Sequence, residues 1–387
     1  MELLIDAINI RAGGGVTHLY ELLNNKCFGL IKFDKVVIVT QIDVFDTLPS
    51  SNFEIIKVRL SLVEKTQHVI APVSVLRKKY DLVNVGLVFS PGGTFFSRKV
   101  KYVSMSQNML IFESIERNRF PLSLARFRYN FLEVLQRRSL ANSIGNIFIS
   151  NYAKHFITEK YRQIGEISSD IIYHGVSHRF RSEPKQQRAI GEYSKVNPFR
   201  ILYISIVNFY KHQDTLIQAV KSLREKGMPI HLDLVGPVNA AIKPYFYTCL
   251  EGCEDYITYH GKVPYGDVHN FYKAADLFVF ASTCENMPNI LIEAMSAGLP
   301  ILCSRYGPMP EILEDAGIYC DPTMPDNIAS QLKMLIENRE LRQTLAHKVY
   351  DRSLQYTWDK CAQQTVRFLE SIVQRREKIY ETTDTVI

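Results

Sequence analysis

A chain of 387 residues suits two domains of ordinary size, and 46% hydrophobic with 22% charged residues describes a globular protein with an ample core. A net charge of +6 is mild and does not point to nucleic acid as a partner. MELLIDAINI opens without a basic region and carries Glu2 and Asp6, so no signal peptide is expected. No uncharged apolar run reaches the roughly 18 residues of a membrane span. Seven scattered cysteines with no Cys-x-x-Cys pair fit a reducing, cytoplasmic compartment, and Cys249 and Cys253 read as plain side chains.

The N-terminal half alternates strand and helix. Residues 3–10 read as a strand, followed by Gly13-Gly14-Gly15 and a helix from about Val16 with Leu19, Leu22 and Leu23 on one face. Such a glycine turn either brings backbone N–H groups near a phosphate or is a plain tight turn. Residues 35–40, 53–58 and 82–90 are further strands, the last ending in Pro91-Gly92-Gly93, and 101–106 ends in Gln107-Asn108-Met109. A helix is expected over 121–142, with Leu122, Phe127, Phe131 and Leu135 among Arg126, Arg128, Arg137 and Arg138, and with Arg117 and Arg119 just before it. This is either a solvated face or a patch for anionic lipid headgroups. Phe148 to Tyr152 opens the last strand–helix unit of this half, which closes at Ile171-Ile172-Tyr173-His174-Gly175-Val176.

Residues 177–198 are polar and without apolar periodicity, which places an interdomain linker there between domains at 1–176 and 199–356. The second domain continues with strands at 200–205, 230–236, 256–260 and 276–281 and a helix from about Asp214. Strand–helix alternation in both halves argues for α/β domains with parallel sheets. Trp358 begins a final amphipathic helix, part of a closing segment 357–387, with fraying expected beyond about Lys378.

The most informative stretch is 281–311, ASTCENMPNILIEAMSAGLPILCSRYGPMPE. It follows an apolar strand and contains a helix that starts near Pro288 and ends at Gly298-Leu299-Pro300. That helix is apolar almost all round, yet Glu293 sits in its middle. A carboxylate there is costly unless something hydrogen-bonds or neutralises it. Glu285 precedes the helix, beside an N-terminus whose free N–H groups suit a phosphate or a sugar hydroxyl. The plain alternative is that Glu285 caps the helix and Glu293 forms an internal pair. Lys211, in the loop after 200–205, is on position alone a solvated surface lysine.

The run from Glu285 to Pro300 resembles the retaining GT-B glycosyltransferases of family 4, whose signature is E-G-F-G-x-x-x-x-E-A-M-A-x-G-x-P-V. Ser304 to Glu311 is similar to that family's S-x-x-G-G-x-P-E, and residues 171–176 to its I-P-N-G-V. The resemblance implies two Rossmann-like domains with parallel sheets facing a cleft, the C-terminal helix returning to brace the first. It implies a retaining hexosyl transfer from a nucleotide-diphosphate sugar, a UDP-sugar or GDP-mannose. The acceptor would be a glycan or lipid-linked acceptor in surface polysaccharide assembly at the inner face of the membrane. Glu293 would then hold the ribose and Glu285 the sugar, with the backbone amides along Asn286, Met287, Pro288, Asn289 and Ile290 (Pro288 itself has no N–H) and the Gly15 turn around the donor. Gly13, Gly14, Gln107 and Asn108 would lie toward the acceptor, with Gln107 where many members carry His. Lys211 matches a phosphate-binding lysine, while Ser205 stands where the family has Arg. Asp-x-Asp is absent from the sequence and no His/Cys cluster has metal spacing, so no metal or cofactor is expected. Two other functions stay open: a sugar-nucleotide epimerase or phosphorylase on the same fold, and a catalytically silent binding subunit.

Overall fold

The computed structural model describes residues 1–11, 13–48, 53–120 and 124–384. They form two compact units, one of Met1–Phe112, Leu124–Gly175 and Thr357–Ile387, the other of Glu113–Ser123 and Val176–Tyr356.

The first unit is built on seven strands: β1 Glu2–Asp6, β2 Lys35–Thr40, β3 Glu54–Lys57, β4 Val85–Ser90, β5 Tyr102–Ser106, β6 Gly145–Phe148 and β7 Ser169–Ile171. Their order is β3-β2-β1-β4-β5-β6-β7 and every pairing is parallel. In β1, Leu3, Leu4 and Ile5 are fully buried, as expected of a strand covered on both faces. The strand order reverses direction between β1 and β4, which pair with Leu3 opposite Leu87. Ligands collect beyond the carboxyl ends of strands at such a switch point. There the Gly13 carbonyl accepts from the N–H groups of Val16 (3.0 Å) and Thr17 (3.3 Å) and opens the helix Gly14–Leu23.

The last helix, Trp358–Asp384, belongs to this unit and stays helical past Lys378. Its Phe368 and Ile372 are buried where β6 begins, so close that a side chain at Gly145 would meet them. Asn25 donates to Asp359 (2.6 Å) and the Lys32 N–H to Glu370 (2.8 Å) at its rim.

The second unit has β8 Phe199–Ile204, β9 Ile230–Val235, β10 Ile257–Gly261, β11 Leu277–Phe280, β12 Ile301–Ser304 and β13 Ile318–Cys320. Their order is β10-β9-β8-β11-β12-β13, again parallel throughout, with the switch point between β8 and β11. The loop after β9 crosses the end of β8 so closely that Gly236, at φ 136°, has no room for a side chain: a Cβ would stand 2.1 Å from the Ser205 carbonyl oxygen.

Two expectations change. Residues 177–198 are not a free linker, since their polar groups are used inside the second unit. The Ser182 N–H reaches the Ser296 carbonyl at 3.0 Å, and Lys185 donates to the Ala275 carbonyl at 3.1 Å. Fully buried Arg342 donates to Gln187 (3.2 Å), to the Arg188 carbonyl and to Leu335 (2.7 Å). The basic patch is also smaller than expected. Arg117 is buried in the second unit and Arg119 pairs with Glu116 at 2.7 Å, while Pro121 and Leu122 lie outside the described residues. What remains is the helix Leu124–Asn142, on which Phe127, Phe131 and Val134 are exposed.

Candidate active site

Beyond β8 the chain makes a short turn at Phe209–Lys211, opened by Asn208, whose side chain accepts from the Phe209 N–H at 2.9 Å. His212 takes a left-handed conformation (φ 52°) and turns the chain into the helix Gln213–Glu225. The loop after β11 is stitched to this turn: the Tyr210 carbonyl accepts from the Thr283 N–H (2.8 Å) and from the hydroxyls of Thr283 and Ser282 (3.3 Å each). The His212 ring lies 3.2 Å from the Thr283 hydroxyl, and burial, with Arg119 adding to it, pulls its pKa down to about 4, so it is neutral at pH 7. Tyr203 donates to the Lys211 carbonyl at 2.6 Å.

These bonds bring Lys211 and Glu285 together. Lys211 is buried, not the solvated lysine its loop position suggests. Its ammonium donates to the Glu285 carboxylate and lies 5.3 Å from the ring centres of both Tyr210 and Phe280. Glu285 keeps 14% of its side chain exposed. A cation and a carboxylate thus sit at the carboxyl ends of the two strands that flank the switch point. The neighbouring Cys284 thiol is pushed up by burial and then by the charges of Glu113 and Glu285, which puts residues 113–116 beside this loop. Phe120 packs edge-on to Phe209 at 5.4 Å.

Glu293 lies on the helix Asn289–Ser296 and is 5% exposed. The helix ends in a Schellman turn, with Leu299 N–H on the Ala294 carbonyl (3.3 Å) and Gly298 N–H on Met295 (3.0 Å). Gly298 is required there, because it sits at φ 63° and a Cβ would stand 2.8 Å from Pro184. Tyr272 donates to one Glu293 oxygen (3.0 Å) and Tyr265 to the other (3.3 Å). Burial pushes the Glu293 carboxyl up to about 7, against the two tyrosine hydroxyls and Arg179, which favour the charged form. Phe180 packs against Tyr265 and Tyr272 at 5.7 Å, so the stretch expected as linker supports this carboxylate from behind. Neither tyrosine was singled out in the sequence. The signal was the buried Glu itself, which demands hydrogen-bond donors without saying which.

Ser205 is nearly buried, and its hydroxyl is taken: it accepts from Gln213 (2.8 Å) and donates to the Ile206 carbonyl (3.0 Å). Lys262 and Arg305, the other cations near these loops in sequence, are exposed. Asn286 and Met287 are buried in the loop, and Pro288 opens the helix.

The remaining expected residues gather in the first unit. Gln107 directly follows β5 and lies over the glycine turn: a Cβ on Gly15 would stand 3.2 Å from its side-chain oxygen. Asn108 is occupied structurally, its side chain accepting from the Leu110 N–H at 3.1 Å. His18, absent from the sequence reading, lies 3.3 Å from the Gln107 amide nitrogen.

Comparison with known proteins follows these loops. Residues 185–352 match the model of the family described as "Glycosyl transferases group 1", a span covering Lys211, Glu285 and Glu293. This part of the chain is similar to the group 1 glycosyl transferases. The O-antigen chain mannosyltransferase B of Escherichia coli is 33% identical over 113 residues, which is 29% of this chain and 30% of that protein. A GDP-mannose-dependent alpha-(1-6)-phosphatidylinositol monomannoside mannosyltransferase of Mycobacterium tuberculosis is 24% identical over 255 residues, 60% of this chain and 64% of its own. The chain thus spans less than two thirds of the length of these curated relatives. Among solved structures, Anabaena Alr3699/HepE in complex with UDP and glucose has the same fold, with a TM-score of 0.69 at 19% identity over 96% of this chain and 100% of that one. The two parallel sheets have the GT-B architecture of that structure.

Proposed function

We propose that this protein is a retaining glycosyltransferase that moves a hexose from a nucleotide-diphosphate sugar to a glycan or lipid-linked acceptor. The observation that carries the reading is the pairing of Lys211 with Glu285 at the switch point, together with a second, buried carboxylate, Glu293, on the helix that follows Glu285. Lys211 meets the donor diphosphate, whose charge grows as the bond to the sugar breaks. Glu293 accepts from the ribose hydroxyls and Glu285 from those of the sugar. The bond from the anomeric carbon to the phosphate oxygen breaks and the acceptor oxygen bonds on the same face. The acceptor's proton passes to the leaving phosphate. Gln107 fits this division, because an amide hydrogen-bonds but does not exchange a proton. The names of the similar proteins supply the donor candidates, GDP-mannose and a UDP-sugar, and O-antigen chain synthesis as a setting.

No metal is assigned a step. Among the described residues no group of three or more His, Cys, Asp and Glu could hold one, and the reading gives charge neutralisation to Lys211 and backbone N–H groups. A panel of nucleotide sugars tests the reading. One of them is expected to be transferred with retention of anomeric configuration, at an undiminished rate in excess EDTA. Inversion, or complete loss in EDTA restored by Mg²⁺ or Mn²⁺, overturns the mechanism. Nucleotide binding with no transfer favours the silent subunit.

A lipid-linked acceptor implies work at a membrane surface, and among the described residues no helix is long and apolar enough to cross one. Phe127, Phe131 and Val134 form an exposed stripe at i, i+4 and i+7 on Leu124–Asn142, with exposed Arg128, Arg137 and Arg138 around it. We assign this face to an anionic bilayer, each arginine contributing about 1 kcal/mol. The protein is expected to pellet with phosphatidylglycerol vesicles at low salt and to be released at high salt. Unchanged pelleting after Phe127→Ser and Phe131→Ser together with Arg128→Ser and Arg137→Ser makes the face an ordinary solvated one.

A further inference from the structure

His18 is completely buried on the second turn of the helix that follows the glycine turn. Its ring stacks on His174 (4.5 Å, 21°), with Trp358 6.0 Å away. Burial and His174 lower its pKa well below the ordinary 6.5, so the ring is neutral at pH 7. Nδ1 lies 3.3 Å from the side-chain nitrogen of Gln107, and Nε2 has no hydrogen-bonding partner among the described residues.

A neutral imidazole next to an amide leaves two arrangements: Nδ1 accepts from the amide nitrogen, or the amide is turned over and its oxygen accepts from Nδ1–H. A second neighbour decides between them. The same end of the Gln107 amide lies 3.4 Å from the sulfur of Met105. A thioether only accepts, so the NH2 group and not the oxygen belongs against it. Both amide hydrogens are then committed inward, one to His18 Nδ1 and one to the Met105 sulfur. The carbonyl oxygen is left over the Gly15 turn.

We infer that His18 is a positioning residue, which holds the Gln107 amide so that it offers an acceptor, never a donor, toward the glycine turn. A ligand hydroxyl is therefore met there by an oxygen. Gln107 does by orientation what its half-buried amide, free to rotate, would do only part of the time. The inference rests on the reading of Gln107 as a substrate-facing group of a glycosyltransferase, and it adds the residue that sets the polarity of that contact.

Two measurements test it. The first needs no activity: nitrogen chemical shifts of His18 in the full-length protein are expected to show the proton on Nε2 and a hydrogen-bonded lone pair on Nδ1. A proton on Nδ1 overturns the proposal whatever the protein catalyses. The second is a double-mutant cycle on turnover with the donor the panel identifies. His18→Phe keeps an aromatic ring in the stack but removes the acceptor, and is expected to lower kcat about tenfold with donor KM within twofold. In a Gln107→Ala background the same change is expected to cost almost nothing, because there is no amide left to orient. His18→Gln, which restores an acceptor, is expected to recover part of the rate and also serves if the phenylalanine variant fails to fold. Equal losses with and without Gln107 assign His18 to packing alone and sink the inference. If wild-type protein transfers no sugar, the functional reading fails while the nitrogen shifts still decide the role of His18.

Discussion

Glu293→Gln is expected to stabilise the nucleotide-free protein at pH 8 while weakening its hold on nucleotide. The carboxyl is pushed by burial from an ordinary 4.5 to about 7, so the unfolded chain ionises it at lower pH than the folded one does. Its contribution to stability is therefore most favourable below pH 4.5, is lost as pH rises from 4.5 to 7, and stays a cost above that. The cost corresponds to about 3 kcal/mol at pH 8. Glutamine does not titrate, and the hydroxyls of Tyr265 and Tyr272 rotate to satisfy an amide. The chemical-denaturation midpoint of the variant should exceed that of wild type at pH 8, and the gap should close toward pH 4.5. Binding runs the other way. A charged acceptor is worth roughly 1.5–3 kcal/mol per hydrogen bond, so nucleotide affinity by calorimetry should fall about 10- to 100-fold per ribose contact. Wild-type affinity should also rise through pH 7 more steeply than that of the variant, since only wild type gains a carboxylate there. A variant that is less stable at pH 8 and binds nucleotide normally makes Glu293 a structural residue.

The second large effect is expected at Lys211. Ser205 stands where the resembled family has a second cation, and its hydroxyl is engaged by Gln213, so under the proposed function Lys211 is expected to take an unusually large share of the phosphate charge. Lys211→Ala should lower the turnover number by roughly 10²–10³, the scale of one preorganised electrostatic contact. The same change leaves Glu285 with most of its side chain buried and its cation gone, and breaking a buried pair costs up to roughly 3–5 kcal/mol of stability. Activity and stability are separated by pairing the substitutions: Lys211→Met with Glu285→Gln should recover much of the lost stability and none of the lost turnover. Near-normal turnover in Lys211→Ala would move the phosphate site elsewhere.

Much of this architecture was legible, because parallel strands buried on both faces write continuous apolar runs. The bounds of β2 coincide with the expected 35–40, and β8, β9 and β11 lie within a residue or so of theirs. β12 and β13 were not anticipated. They are four and three residues long, and Ile301–Ser304 directly follows the Gly-Leu-Pro that ends a helix, so no window of periodicity exists. The site was half legible. Glu285 and Glu293 stood out as carboxylates against an apolar helix. The partner of each was invisible: Lys211 is 74 residues from Glu285, and only the sheet order brings the ends of β8 and β11 together. Residues 177–198 misled for a physical reason. Polar composition reads as a solvated connector, but here the polar groups satisfy helix carbonyls, and Phe180 supplies the wall behind Tyr265 and Tyr272.

The excursion of residues 113–120 bears on how such a protein can be recombined. The chain leaves the first unit after Phe112, lays Phe120 against Phe209 beside the Lys211 turn, and is back in the first unit by Leu124. The second unit is consequently not one contiguous cassette. A chimera that swaps residues 177–356 alone for those of a relative joins a foreign lysine turn to the native Phe120, and a fragment beginning at 177 exposes Phe209. Exchange of the whole second unit between such proteins needs two inserts, or a pair of parents that agree at Phe120 and Phe209.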